Sequence, residues 1–265
     1  MAERGPALVA VAQRLSREVD ALSFAHPVAF TYNPLAYAFE AHRAYLEQWG
    51  GGRPKALWLG MNPGPFGMAQ SGVPFGDVGM ARDFLGIEAP VGRPPREHPK
   101  RPVLGYACTR GEVSGRRLWG FVRDRYGSPQ AFFREFFVLN YCPLAFVEDS
   151  GKNRTPDHLP AAERAPLFAA CDRALRDAVE VLGVQAVIGV GAFAAARARE
   201  ALAGRGLAFH VLPHPSPASP AANRGWPALA QHALEQAGCR VPSSSAPVRT
   251  AARPQGGAGG GRTRR

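Results

Sequence analysis

Four short runs of nearly continuous apolar residues lie along the chain, at residues 56–60, 135–140, 185–190 and 208–212. Strands of a parallel sheet that is covered by helices on both faces have this pattern. Elsewhere, apolar and charged positions alternate at helical spacing and predict helices over 36–49, 161–182, 192–203 and 223–237. Strands that alternate with helices predict an α/β fold built on a parallel sheet.

The 265 residues suit one large domain. We interpret residues 1–240 as that single domain, with residues 1–24 as an N-terminal helical extension. Residues 241–265 are rich in Ser, Pro, Gly and Arg and cannot bury enough apolar surface to offset the entropy of ordering. We therefore predict a disordered basic tail over residues 241–265.

The composition excludes several classes of protein. Hydrophobic residues make up 46% and charged residues 20%, and no uncharged apolar run approaches the roughly 18 residues of a membrane span. The apolar patch near the N-terminus is interrupted at Gln13 and Arg14, too soon for a secretory signal. The four cysteines lie far apart without a C-x-x-C pair, which argues against a zinc or iron–sulfur site and favours reduced thiols.

The charge gives the first indication of function. With 32 Lys and Arg against 21 Asp and Glu, the net charge is +11, which favours a polyanionic partner such as nucleic acid. Five of the arginines lie in residues 241–265, which hold no acid, so residues 1–240 carry +6. The Pro- and Arg-rich stretch 88–113 is predicted to be irregular, and residues 92–125 hold nine basic and three acidic side chains. That run is either a solvated loop or a phosphate-contacting face.

Unusual residues follow the four apolar runs. Ligands bind beyond the carboxyl ends of the strands in open α/β sheets, and these ends carry Asn62, Asn140, the pair Gly189 and Gly191, and His214. Asn62 could simply form a tight turn, and Asn140 could be a buried amide bonded to backbone. His214 lies between two prolines that restrict its backbone, which favours a functional role. If the strands are parallel, all of these residues converge on one edge.

Other chemistries find little support in the motifs. The stretch Gly189-x-Gly191-x-x-Ala194 matches a loose dinucleotide fingerprint, but no acid near the end of the next strand could hold a ribose. Tight packing between strand and helix is the better interpretation of these glycines. The P-loop, the zinc-deaminase pattern and the G-x-S-x-G nucleophile motif are all absent from the sequence.

Several segments resemble one family. The segment GMNPGPFGMAQSGVPFG at residues 60–76 resembles the first motif of the single-strand-selective monofunctional uracil-DNA glycosylases. The segment HPSP at 214–217, continuing to NRGW at 223–226, resembles their second motif. EHPKRPVLG at 97–105 and LNYCPL at 139–144 also look like that family. The resemblance covers about residues 25–240.

The resemblance implies a fold and a reaction. The fold is a three-layer α/β/α sandwich with a central four-stranded parallel sheet, the uracil-DNA glycosylase fold. The reaction is hydrolysis of the N-glycosidic bond of uracil in DNA without metal or other cofactor, on a base flipped out of the helix. Substrates in the family extend to oxidised uracils such as 5-hydroxymethyluracil, and the reaction begins base excision repair.

Site residues follow from the same resemblance. His214 would donate a hydrogen bond to O2 of the departing uracil anion, and Asn62, an amide that cannot act as a base, would orient the water. The bond would then break by a dissociative, oxocarbenium-like route. Phe75 would stack on the base, and Asn140 would pair with O4 and N3 and so reject cytosine. The rest of the base pocket would be formed by Met61, Gly64 and Met68.

A wedge that fills the vacated stack is expected after His214. The resemblance assigns DNA contacts there to Ser216, Pro217, Ala218, Ser219, Pro220, Asn223 and Arg224. Ala218 stands where vertebrate members tend to have an arginine.

These assignments lead to further expectations. We expect a nuclear monomer that acts on single- and double-stranded DNA containing uracil and does not bind membranes. Three competing hypotheses remain at this point: a non-catalytic relative that only binds damaged DNA, a dinucleotide-dependent enzyme, and a uracil glycosylase of the iron–sulfur type.

Overall fold

A computed structural model of the chain describes residues 3–243. The strands in these residues are β1 (Val28–Tyr32), β2 (Ala56–Gly60), β3 (Phe136–Asn140), β4 (Ala145–Glu148), β5 (Asn153–Arg154), β6 (Ala186–Val190) and β7 (Ala208–Leu212). The α-helices are α1 (Arg4–Asp20), α2 (Pro34–Tyr37), α3 (Phe39–Trp49), α4 (Met68–Ser71), α5 (Val113–Tyr126), α6 (Pro129–Phe133), α7 (Ala161–Leu182), α8 (Ala192–Ala201) and α9 (Pro220–Gln236). Single turns of π- or 3-10-helix lie at Met80–Phe84, Gly105–Ala107 and Pro156–His158.

The central sheet has four parallel strands in the order β3-β2-β6-β7. These strands are the four apolar runs, so the predicted sheet is confirmed, with β3 and β6 each beginning one residue later than expected. Every residue of β2 is buried, because the strand lies between β3 and β6 with helices above and below. Since all four strands run the same way, their carboxyl ends meet at one edge.

Helices form a layer on each face of this sheet. On one side α1 packs against α3 and α7, and α7 packs against α8, while on the other side α5 packs against α6 and α9. The result is the expected α/β/α sandwich. None of the helices in residues 3–243 is long and apolar enough to cross a membrane.

The N-terminal segment forms helix α1, which packs closely on the domain. Its apolar stripe, which includes Leu8, Leu15 and Val19, is buried against α3 and α7. Helix–helix packing of this kind is what an amphipathic stripe provides. At the other end of the chain, residues 244–265, which make up most of the predicted tail, lie outside the described residues.

A second, antiparallel sheet was not predicted. Its order is β1-β4-β5, with Tyr32 opposite Ala145 and Val147 opposite Asn153. β4 and β5 have only four and two residues, too few to show a periodic pattern. The sheet nevertheless matters for the site, because Asn153 in β5 and Thr155 just after it line the cleft described below.

Helix α5 was also missed by the sequence pattern. Its two glycines and five charged side chains obscure an apolar stripe made of Leu118, Trp119, Phe121 and Val122, all of which are buried. Three predicted helices are present with shifted ends: the first is divided at Ala38 into α2 and α3, α8 ends at Ala201, and α9 begins at Pro220. The helix over residues 161–182 has the predicted bounds.

Candidate active site

A cleft of about 360 Å³ opens at the carboxyl edge of the central sheet. It lies where β2, β3 and β7 end, the usual position of a ligand site in this class of fold. Nine residues singled out in the sequence line the cleft: Met61, Asn62, Gly64, Met68, Phe75, Asn140, His214, Ser216 and Pro217. Six further residues, which were not candidates, complete its lining: Pro63, Pro65, Glu112, Ser114, Asn153 and Thr155.

His214 follows β7 and is held in one tautomer. The backbone N–H of Ser216 donates a hydrogen bond of 3.1 Å to Nδ1 of the ring, so Nδ1 carries no proton and the neutral ring is protonated on Nε2. Burial lowers the pKa of His214 below its ordinary value, which keeps the imidazole neutral near pH 7. The indole Nε1 of Trp226 donates to the carbonyl of Pro213 at 2.7 Å and fixes the start of this loop. His214 therefore offers one N–H donor, on Nε2.

The two glycines after β6 serve packing. Gly189 approaches the backbone of Ala195 so closely that any side chain at position 189 would clash with helix α8. A Cβ at Gly191 would lie 3.3 Å from Cδ2 of His214, so this glycine sits directly against the histidine ring. The packing interpretation made from the sequence is confirmed for Gly189, and Gly191 is part of the support of His214.

Asn62 follows β2 and is oriented by one hydrogen bond. Its Nδ2 donates to the carbonyl of Leu144 at 3.1 Å. Within residues 3–243, Oδ1 of Asn62 has no hydrogen-bond partner, so a free acceptor remains on a residue that lines the cleft. The neighbouring backbone is tied to the end of β3, since the N–H of Cys142 donates to the carbonyl of Met61 at 2.9 Å.

Phe75 has an unusual backbone and lies close to Gly60. Its φ of +53° places it in the left-handed region, which is rare for a bulky residue. A Cβ at Gly60 would lie within 2.6 Å of the Phe75 ring and would clash with Oδ1 of Asn140. A glycine at the end of β2 therefore lets the aromatic ring and the Asn140 amide share one end of the cleft.

Asn140 ends β3, and its amide forms one weak hydrogen bond. Its Nδ2 lies 3.3 Å from the thioether sulfur of Met68, which is a weak acceptor. Met68 lies in α4, the short helix that follows residues 61–67, which we call the Gly-Pro-rich loop. The Asn140 amide, the Phe75 ring and the His214 ring, whose centroid is 6.3 Å from that of Phe75, lie together in the cleft.

Glu112 is a cleft residue that the sequence analysis missed. It caps the N-terminus of α5, accepting hydrogen bonds from the N–H groups of Gly115 at 2.6 Å and Ser114 at 3.3 Å. Its side chain packs against the Gly-Pro-rich loop, where a Cβ at Gly64 would lie 3.6 Å from Oε1 and one at Gly67 would lie 3.0 Å from Cγ. Burial raises the pKa of the Glu112 carboxyl, against the opposing effect of the two N–H donors.

Asp77 connects the start of α5 to the segment that carries Phe75. Its Oδ2 accepts from the backbone N–H of Glu112 at 2.8 Å, and its own N–H donates to the carbonyl of Phe75 at 2.8 Å. In addition, Nε1 of Trp119 in α5 donates to the carbonyl of Pro74 at 3.2 Å. The first turns of α5 thus support both the Gly64 wall and the Phe75 wall of the cleft.

Five of the seven proposed wedge residues lie beyond the cleft. Ser216 and Pro217 line it, whereas Ala218, Ser219, Pro220, Asn223 and Arg224 do not; of these five, all but the half-buried Ser219 are exposed.

The loop after His214 is held in place by Arg117, whose guanidinium donates to the carbonyl of Pro215 at 3.0 Å and to Oδ1 of Asn223 at 2.9 Å. Asn223 in turn donates to the carbonyl of Pro217 at 2.8 Å, so its amide is used within the protein.

Comparisons with known proteins agree with this geometry. The family model described as the uracil DNA glycosylase superfamily matches residues 47–237. The single-strand selective monofunctional uracil DNA glycosylase of Mus musculus is 53% identical over 227 residues, covering 85% of this chain and 81% of the mouse protein. Its Rattus norvegicus counterpart is also 53% identical over 227 residues, with 85% and 82% coverage.

This chain belongs to the single-strand selective monofunctional uracil-DNA glycosylase family. The resemblance identified from the motifs is therefore confirmed. Among solved structures, that of Pedobacter heparinus SMUG2 matches with a TM-score of 0.58 at 16% identity, covering 86% of this chain and 97% of that one. At that identity the match supports the glycosylase fold, in agreement with the four-stranded parallel sheet.

The sequence of this glycosylase gives only weak signals for the cleft residues that were not predicted. Glu112 precedes Val-Ser-Gly at the end of the stretch predicted to be irregular, and Asn153 and Thr155 lie in and just after a two-residue strand. Within the described part of the chain, no group of three or more His, Cys, Asp or Glu side chains is arranged to hold a metal ion.

Proposed function

We propose that this chain is a monofunctional glycosylase that removes uracil from DNA by hydrolysis and leaves an abasic site. The observation that carries the proposal is the pairing, in one cleft, of a neutral His214 with Nε2–H free to donate and an Asn62 with Oδ1 free to accept. Membership of the uracil-DNA glycosylase family and the names of the relatives support the same conclusion.

The reaction follows from the charges that develop. As the bond from C1′ to N1 of uracil breaks, its electron pair moves to the base and positive character grows on the sugar. His214 Nε2–H donates to the base oxygen O2, and a fixed neutral donor of this kind costs no reorganisation during the reaction. Water held by Oδ1 of Asn62 adds to C1′, and its released proton balances the charge of the uracil anion. An amide cannot take that proton, so the step depends on bond breaking that is well advanced before water attacks.

Base selection is assigned to Phe75 and Asn140. The ring of Phe75 offers a stacking face, a contact worth about 1–3 kcal/mol for a base. Asn140 can donate from Nδ2 to O4 of uracil and accept from N3–H at Oδ1, and cytosine presents the opposite pattern. The same amide therefore binds uracil and rejects cytosine.

Oxidised uracils are proposed as further substrates. Gly64 has no side chain, and the polar residues Ser114 and Glu112 line the same cleft. Space beside polar groups suits a hydroxymethyl group at C5 better than it suits an apolar one. Removal of such bases would begin base excision repair, because the abasic product requires further processing.

Contact with DNA is assigned to the loop after His214 and to the basic surface. Flipping costs a few kcal/mol of unstacking. A stiff wedge offsets that cost because it fills the vacated position in the stack without losing much conformational entropy. Pro215, Pro217 and the Arg117 brace provide that stiffness. We propose action as a monomer on both single- and double-stranded DNA, in the nucleus; sedimentation and the location of a fluorescent fusion check the monomer and the nucleus.

Base release from defined oligonucleotides tests the proposal. Single strands and duplexes carrying uracil, 5-hydroxymethyluracil or cytosine are incubated with the full chain, and free base and abasic sites are quantified. We expect release of uracil and 5-hydroxymethyluracil and none of cytosine, with no strand cleavage before alkali treatment. Binding to uracil-containing DNA without any release would show a non-catalytic binding protein.

A further inference from the structure

Two arginines are held on one aromatic ring beside the cleft. The guanidinium carbon of Arg110 lies 3.9 Å from the ring centroid of Phe66, and that of Arg101 lies 5.4 Å from the same centroid. Phe66 directly follows Pro65, which lines the cleft, and Arg110 lies two residues before the cleft residue Glu112. We refer to Arg101, Phe66 and Arg110 as the arginine cluster.

The position of the cluster is fixed by a buried side chain. Gln70 in α4 donates from Nε2 to the carbonyls of Pro65 at 2.9 Å and Pro102 at 3.0 Å. Its Oε1 accepts from the N–H of Leu104 at 2.8 Å. The amide thus joins the loop that carries Phe66 to the loop that carries Arg101. Pro65 and Pro102 are 37 residues apart in sequence, and their shared bond to Gln70 fixes the two loops relative to each other.

The positive charge of the cluster is not neutralised by the protein. Within residues 3–243, neither Arg101 nor Arg110 forms an ion pair, in contrast to Arg154 with Glu148 and Arg197 with Asp172. Stacking on a ring holds a guanidinium by its face and leaves its N–H edge for other partners. In Arg101, Nη1 already donates to the carbonyl of Lys100 at 3.1 Å and Nε is buried, so Nη2 is the nitrogen left to meet a phosphate. Two unpaired cations held on one ring attract an anion more strongly than one cation does.

We propose that Arg101 and Arg110 bind two phosphates of the DNA strand next to the flipped nucleotide. The N–H fork of arginine matches a phosphate group and binds it with charge-assisted hydrogen bonds. Because Phe66 continues the loop that lines the cleft, the phosphates contacted are those adjacent to the target nucleotide. This assignment rests on the proposed function and names which residues of the basic stretch 92–125 contact the strand.

The role of Phe66 is to orient the arginines. Arg110 already covers a face of the ring at 3.9 Å, so that face is not open as a platform for a base. Orientation in advance lowers the entropy lost when the phosphates bind. The ring contact at an exposed site is worth a factor of about two to five in affinity.

Salt dependence of binding tests the two charges. Binding of a single strand carrying a stable abasic analogue is measured at several salt concentrations for the wild type, the double variant R101Q/R110Q and the control R53Q. Each phosphate contact to a single strand contributes about 0.7 to the slope of log affinity against log salt. We therefore expect the double variant to lose about 1.4 from the slope, which is twice that amount.

The control separates local contact from general charge. Arg53 is exposed and precedes β2 at the amino edge of the sheet, opposite the cleft. R53Q should keep the wild-type slope. Equal slopes for the wild type and R101Q/R110Q, or an equal loss for R53Q, would overturn the proposal. F66L, which keeps both charges, should keep the slope and bind about two- to fivefold more weakly; unchanged affinity would refute the orienting role of the ring.

A second measurement locates the phosphates. Phosphates around the abasic analogue are replaced one at a time by neutral methylphosphonates, and affinity is measured for the wild type and R101Q/R110Q. We expect the wild type to weaken at two neighbouring positions and the double variant to be insensitive there. Sensitivity that persists in the double variant contradicts the assignment. If the wild type released no uracil while the slopes differed as expected, the proposed function would fail and the phosphate site would stand.

Discussion

Asn62 and His214 are each oriented by a single backbone contact that leaves the other polar atom of the side chain free. The carbonyl of Leu144 accepts from Nδ2 of Asn62, and the N–H of Ser216 donates to the unprotonated Nδ1 of His214. Each contact therefore decides which end of a two-ended polar group is presented. Held in this way, Asn62 presents an oxygen that accepts from water, and His214 presents an N–H that donates to the base oxygen. Neither side chain needs to be strongly basic.

Loss of the His214 donor should slow base release strongly. His214→Ala removes Nε2–H, and removal of one such donor costs about 10²–10³ in rate. His214→Gln, whose amide can place an N–H near the same point, should fall between the alanine variant and the wild type. Single-turnover rates on a uracil-containing strand measure the order, and an alanine variant as fast as the wild type would contradict the role.

The protonation of His214 gives a separate test. Burial lowers its pKa below the ordinary 6.5, so the neutral ring should persist from pH 8 down to 6.5. Protonation at lower pH places a proton on Nδ1 against the Ser216 N–H, and the rate should fall only there. Nitrogen NMR of labelled histidine should show Nε2 protonated and Nδ1 bare at pH 7. A ring protonated on Nδ1 at that pH would be inconsistent with the Ser216 hydrogen bond.

Asn62 should affect the chemical step more than DNA binding. Asn62→Ala removes the water acceptor, and a misplaced nucleophile costs on the order of 10²-fold in rate. Asn62→Asp places a carboxylate oxygen against the Leu144 carbonyl, at the 3.1 Å contact now made by Nδ2, and so should also be slower than the wild type. Single-turnover rates and affinity for an abasic-site duplex are measured together. Loss of abasic-site affinity in the alanine variant would make Asn62 a turn-forming residue instead.

At the scale of elements, α5 organises the cleft without contributing a predicted catalytic group. Glu112 caps its first turn and packs on the Gly64 loop, while Trp119 and Asp77 hold the Phe75 segment. The distance between the two walls of the cleft thus depends on one helix end. A carboxylate at a helix N-terminus is also favoured by the helix dipole.

Glu112→Ala should weaken both the fold and base binding. Loss of a helix cap costs about 1 kcal/mol, or about 2–4 °C in Tm for a domain of this size, and a loosened Gly64 wall should raise KM. Glu112→Gln keeps one acceptor oxygen and should retain most of the activity. A glutamine variant as inactive as the alanine variant would instead make Glu112 a proton acceptor in the reaction.

Ser128 provides the matched control for that experiment. It caps α6 by accepting from the N–H of Ala131 at 3.3 Å, and α6 precedes β3 at the amino edge of the sheet. Ser128→Ala should lower Tm by a similar amount and leave KM unchanged. A rise in KM in this variant would show that KM simply follows stability.

At the scale of the whole molecule, the sequence predicted what depends on local pattern. Buried parallel strands are apolar throughout, so the four runs could be recognised, and the strand ends then brought Asn62, Asn140 and His214 to one edge. The role of Glu112 could not be predicted, because its partner Asp77 is 35 residues away and the contact exists only after folding. The antiparallel sheet was missed for the same reason, since β4 and β5 are too short to show a strand pattern and are recognisable only from their pairing in the fold.

Stability of the whole domain should depend on pH through His42. This buried residue of α3 donates from Nδ1 to the carbonyl of Gly72 at 2.8 Å, just after the helix that carries Met68. Burial lowers its pKa to about 4 from an ordinary 6.5. Between those values the unfolded chain binds a proton that the folded domain excludes, so the contribution of His42 to stability is complete above pH 6.5 and is lost as the pH falls towards 4. The loss is roughly 3 kcal/mol.

Urea unfolding of the wild type and two variants between pH 7 and pH 4.5 measures this contribution. His42→Asn keeps a donor for the Gly72 carbonyl and cannot become protonated, so its stability should fall less with acid than that of the wild type. The exposed His232 in α9 supplies the control, and His232→Asn should follow the wild-type curve. Carboxylates that titrate in the same range are common to all three proteins and cancel in the comparison. Parallel curves for the wild type and His42→Asn would mean that the buried imidazole is protonated as readily in the folded domain as in the unfolded chain.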